Sequence, residues 1–96
     1  MNNSLSKELD RRSIILAMKE IDINGIPKKR NYRTRYILAT KDLNVKKEKY
    51  PIKLTYEVAH NQFTTLCHIN YNDFITDTAM IAIQRLGFKI GYKNKR

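Results

Sequence analysis

The sequence predicts an α+β fold in which about three helices cover a small, mostly antiparallel three-stranded sheet. Three observations carry this. Apolar residues recur at helical spacing in three separate stretches. Short apolar or alternating runs, bounded by turn residues, lie between them. The resulting order is α-β-β-α-α-β, and strands this short need helices packed on one face to persist. A chain of 96 residues is the size of one domain. Residues 1–96 therefore read as a single small basic domain, with 1–5 and 93–96 as flexible ends.

The first helix is predicted to open at Ser6 as N-cap, with Lys7, Glu8 and Leu9 in its first turn, and to run to Ile21 or Asp22. Ile14, Ala17, Met18 and Ile21 make its buried stripe, and Arg11, Arg12 and Lys19 point mostly to water. Asn24-Gly25 breaks it and Pro27 prevents it from resuming. Tyr36–Thr40 is the first strand, Lys41–Asn44 a turn, and Val45–Tyr50 an antiparallel return whose lysines 46, 47 and 49 mark a solvated sheet edge. Pro51 suits the first turn of a second helix carrying Ile52, Tyr56, Ala59 and Phe63 on one face. Residues 64–73 are irregular, with turn chemistry in Asn70-Tyr71-Asn72-Asp73. Thr76 or Asp77 caps a third helix with Ala79, Met80, Ile83 and Leu86 inward and Gly87 just past its end. Phe88 to Tyr92 alternates as a last strand, and Lys93 to Arg96 is a basic tail.

Charge is the strongest functional signal. Nineteen Lys and Arg face nine Asp and Glu, a formal net charge of +10. Self-repulsion of that size is relieved by a polyanion, and nucleic acid is the commonest one. Ten of the cations lie between Lys28 and Lys53, against the two acids Asp42 and Glu48. Within that stretch Lys28, Lys29, Arg30, Tyr32, Arg33, Arg35 and Lys53 are the candidate DNA-binding residues. Fixed cations meet phosphates. Arg33 and Arg35, two apart in an extended segment, share a side and offer forked donors to a phosphate or a guanine edge. Tyr32 is placed to touch sugar or base. Lys53, in a first helical turn, opposes the helix dipole unless an anion is bound there.

Other chemistry is poorly provided for. His60, Cys67 and His68 lack the paired spacing of a zinc site, so no metal or other cofactor is expected. Cys67 reads as a small core residue, and His60 as a partner of the helix C-terminus with Asn61 as cap. No glycine-rich phosphate loop exists, and Asp10, Asp22 and Asp42 are too scattered to be placed as a nuclease core, so no catalytic residues are named. A single cysteine permits no intrachain disulfide, consistent with a cytoplasmic setting. No apolar run is long enough to span a membrane, and the polar N-terminus does not read as a secretory signal.

Several motifs in order carry a family resemblance. They are a first helix ending near Ile21-Asp22, Gly25-x-Pro27, a basic loop, Tyr36-x-Leu38, Tyr50-Pro51-x-Lys53 with Ala59 in the helix that follows, and Leu86-Gly87-Phe88-x-Ile90. Across most of residues 9–92 the chain resembles the small N-terminal DNA-binding module that precedes HNH nuclease domains in restriction endonucleases, the ScoMcrA-like head domain. It departs from that pattern in having Asp73-Phe74-Ile75 where a glycine pair is usual, and in having no nuclease domain within the 96 residues. The resemblance implies a sequence- or modification-sensing double-stranded DNA-binding module that serves a nuclease in the same or another chain. Two other readings fit the same charge: an RNA-binding protein, and a small phage-type protein that docks on an acidic protein partner.

Overall fold

The computed structural model describes residues 7–27 and 35–92. Its elements are α1 (Arg11–Asn24), β1 (Arg35–Leu38), β2 (Lys49–Pro51), α2 (Ile52–Phe63), α3 (Thr76–Arg85) and β3 (Lys89–Tyr92), with short 3₁₀ turns at Lys41–Leu43 and Tyr71–Asp73. This is the α+β architecture and the element order that the sequence predicts. The strands form one antiparallel sheet in the order β2-β1-β3. Ile37 pairs with Tyr50 on one side and Ile90 on the other. Ile37 and Tyr50 are fully buried and Ile90 packs against the same cluster, so this face of the sheet looks into the core. There it meets the inward stripes of the helices, chiefly Ile14, Ala17, Met18 and Ile21 of α1, Ile52 and Ala59 of α2, and Ala79 and Ile83 of α3.

Local chemistry moves several boundaries. α1 does not open at Lys7. Residues 7–10 are non-helical, and Asp10 is the N-cap. Its carboxylate accepts the Ser13 N–H at 2.8 Å while its own N–H donates to the Ser13 hydroxyl at 3.0 Å, a reciprocal capping box that starts the helix four residues later than Ser6 would. Replacing Asp10 with Ala leaves one of these donors without its acceptor. We expect it to cost about 1 kcal/mol, read as a lower urea midpoint at an unchanged slope. The helix runs past Asp22 to Asn24 because Gly25, at φ +81°, closes it with its N–H on the Ile21 carbonyl at 2.7 Å. Arg11 does not simply face water. Its guanidinium donates to the Leu86 carbonyl at 3.0 Å, at the C-terminus of α3, and lies 4.4 Å from the Phe88 ring centroid.

The second strand is shorter than Val45–Tyr50. Among residues 45–48, the Lys46 and Lys47 N–H groups are held by side chains, and the Glu48 carbonyl accepts one backbone bond from the Ala39 N–H at 2.9 Å. Asp22 accepts the Lys46 N–H at 2.9 Å and the Tyr50 hydroxyl at 2.6 Å, and the Tyr50 oxygen accepts the Lys47 N–H at 2.9 Å. Ladder pairing resumes only at Lys49, on the edge strand β2. Pro51 ends that strand and serves as the N-cap of α2, one residue ahead of the first turn, where its carbonyl accepts the Thr55 hydroxyl at 2.8 Å. At the other end of α2, Thr64 is the C-cap, and Asn61 does not cap. The Asn61 amide instead exchanges two bonds with the Ile69 backbone, at 2.7 and 2.8 Å, and so tethers the irregular stretch beyond. Cys67 lies on that stretch and is exposed, contrary to its expected place in the core. α3 begins at Thr76 with Ile75 as N-cap, and neither Thr76 nor Asp77 fills that position. Its end is as predicted, with Gly87 at φ +91° donating to the Gln84 carbonyl at 2.9 Å.

Candidate nucleic-acid interface

Of the seven residues singled out for DNA contact, Lys28, Lys29, Arg30, Tyr32 and Arg33 lie outside the described residues. The segment that carries them joins β1 at Arg35. Antiparallel pairing sets Arg35 opposite Tyr92, the last described residue before the basic tail. The chain therefore enters and leaves the sheet at one corner. In sequence, the segment that leads into Arg35 carries Lys28, Lys29, Arg30 and Arg33, and the segment that follows Tyr92 carries Lys93, Lys95 and Arg96; these seven cations lie outside the described residues. The neighbouring pair, Tyr36 with Pro51, brings the N-terminus of α2 to the same corner.

Arg35 and Lys53 both reach the segment that leads into α3. The Arg35 guanidinium forms an ion pair with Asp77, in the first turn of α3, and lies 3.6 Å from the Met80 sulfur. The Lys53 ammonium sits 4.1 Å from the Tyr71 ring centroid and 5.1 Å from that of Phe74. Those rings belong to a cluster with Tyr56, whose centroid is 4.9 Å from Phe74 and 5.9 Å from His60. Burial raises the Tyr56 hydroxyl above the usual tyrosine pKa. The first turn of α2 contains no acid and no side chain caps it, so Lys53 faces an opposing dipole. The negative faces of two rings offset part of that opposition. Arg35 and Lys53 thus both lean on residues 71–80, each with an internal partner that an incoming phosphate would have to displace or share.

The three aspartates considered for chemistry all have structural partners. Asp10 caps α1, Asp22 holds Lys46 and Tyr50, and Asp42 accepts the Thr40 hydroxyl, a bond that holds its pKa below the usual carboxylate value.

Sequence reasoning missed one surface. Strand alternation places Tyr36, Leu38, Lys49, Pro51, Lys89 and Gly91 on the face of the sheet turned away from Ile37. Across one rung the order is Lys49, Leu38, Lys89, and all three are exposed. Across the next it is Pro51, Tyr36, Gly91, of which Tyr36 is half-buried and lies 5.4 Å below the Lys49 ammonium. A Cβ at Gly91 would come within 2.7 Å of a Leu38 methyl, so a larger residue there displaces the Leu38 side chain. The alternating pattern of 88–92 carries half of this signal. The other half is the knowledge that β1 is central, which no local pattern supplies.

No protein-family model, curated protein or solved structure matches this chain. Among the described residues, no helix is long and apolar enough to cross a membrane.

Proposed function

We propose that this chain is a double-stranded DNA-binding module of a restriction-type system, one that brings a nuclease in the same or another chain to its target. The observation that carries this reading is the corner where the basic segments 28–34 and 93–96 join the sheet, beside Arg35 and Lys53, in a chain of net charge +10. The resemblance of the motif order to restriction-endonuclease head modules points the same way. On this reading the cations set affinity and orientation through phosphates, and cutting belongs to another domain.

Fluorescence anisotropy with a short mixed-sequence duplex tests the proposal. About six phosphate contacts give a slope of log affinity on log salt near −5, and structured RNA of equal length competes less well than DNA. No binding at low salt, a slope near zero, or preference for the RNA rejects the reading. If an affinity pull-down retains a partner after nuclease treatment, docking on an acidic protein replaces it.

Asp77 gives a second check. Its carboxylate competes with phosphate for Arg35. Asp77→Asn therefore raises duplex affinity by roughly threefold on this reading, since one more cation is released to a phosphate. Stability changes little, because an ion pair this exposed contributes at most about 1 kcal/mol. Unchanged or weakened binding would mean that Arg35 does not face the DNA.

A further inference from the structure

We infer that the outer face of the sheet enters the DNA major groove, with Lys49 and Lys89 on the phosphates of its two lips and Leu38 and Tyr36 turned to the base edges. This rests on the reading of the chain as a duplex-binding module, and it names the element and the groove.

Size is the first argument. Two inter-strand spacings of about 4.8 Å make the sheet roughly 10 Å wide. The major groove of B-form DNA is about 12 Å wide and the minor groove about 6 Å. The major groove of an A-form helix is too narrow and deep for side chains to read. Charge is the second. Lys49 and Lys89 occupy the two outer strands of a single rung with Leu38 between them, so long cationic side chains flank an apolar centre. The side chains of these two rungs include no acid. Shape is the third. Gly91 lets the Leu38 side chain lie across β3, where any larger residue would lift it. The face is therefore flattened where Leu38 lies over Gly91 and cationic on both outer strands; the Lys49 ammonium leans inward, 5.4 Å from the Tyr36 ring centroid, and swings out to its phosphate on binding. An apolar side chain there meets thymine methyls. A platform for single strands calls for successive stacked rings, and these two rungs provide one, Tyr36. Strands of other proteins read the major groove in the same manner.

Dimethyl sulfate footprinting of a saturated mixed-sequence duplex tests the inference, because guanine N7 faces the major groove and adenine N3 the minor. The expected result is protection of guanine N7 with adenine N3 left reactive. The double variant Lys49→Ala, Lys89→Ala should bind roughly tenfold more weakly, with a salt slope shallower by about 2. Both lysines are exposed, so far-UV circular dichroism should stay that of the wild type. Protection of adenine N3 in place of guanine N7, a double variant that binds like the wild type, or preference for the unpaired strand overturns the inference and leaves nucleic-acid binding in place. If wild-type protein fails to bind the duplex, the functional reading falls, and this inference falls with it.

Discussion

Replacing Lys28, Lys29, Arg30 and Arg33 together with glutamine lowers duplex affinity by roughly 10²–10³-fold near 0.1 M salt and makes the salt slope shallower by about 3 to 4. Each cation that meets a phosphate releases close to one counterion, and these four lie in one short stretch with no acid among them. Neutralising Arg35 and Lys53 has a smaller effect, near tenfold, because Asp77 and the rings of Tyr71 and Phe74 already occupy those charges. Anisotropy titrations at three salt concentrations measure both quantities. If the fourfold variant binds within a factor of three of the wild type, the basic segment is a solvated loop and the contact lies elsewhere.

The second large effect concerns the Asp22–Tyr50 lock. Asp22→Ala is expected to destabilise the fold by about 2–4 kcal/mol, since it removes an ionised acceptor from the buried Tyr50 hydroxyl and from the Lys46 N–H. Tyr50→Phe keeps the ring and loses only the hydroxyl, and its expected cost is about 1–2 kcal/mol. Both are read from urea midpoints at neutral pH. The lock also has a pH signature. Burial, reinforced by the bond to Asp22, pushes the Tyr50 hydroxyl up to about 12 from its ordinary value of 10.0. Folding thus favours the protonated phenol. The associated stability is fully present below pH 10 and is lost as pH rises towards 12. Tyr56, raised by burial, contributes in the same direction. Tyr50→Phe therefore flattens the alkaline decline without abolishing it. An identical decline in wild type and variant would show that Tyr50 is not the titrating group.

The contrast between these two predictions follows what was legible in the chain. Helical stripes such as Ile14-Ala17-Met18-Ile21 and Ala79-Ile83 depend on spacing alone and are visible in sequence. So is the end of α3, because a glycine at positive φ has a local signature. What escaped notice depends on partners far apart in the chain. Val45–Glu48 has strand composition, yet Asp22, more than twenty residues away, takes the N–H of Lys46 and anchors the hydroxyl of Tyr50. Asp10 caps α1 because Ser13 answers it, a reciprocal pairing that apolar spacing does not reveal. The outer sheet face escaped for the same reason. Lys49 and Lys89 lie forty residues apart and become neighbours only because β1 runs between their strands.

The most direct measurement is an amide chemical-shift titration of the ¹⁵N-labelled protein with a short duplex. Binding through the outer sheet face and the basic segments perturbs Arg35–Leu38, Lys49–Lys53 and Lys89–Tyr92, together with the segment from Lys28 to Thr34, and leaves the buried turn of α1 around Ala17 and Met18 unshifted. Perturbations confined to the exposed side of α1, or none at saturating duplex, would contradict the account.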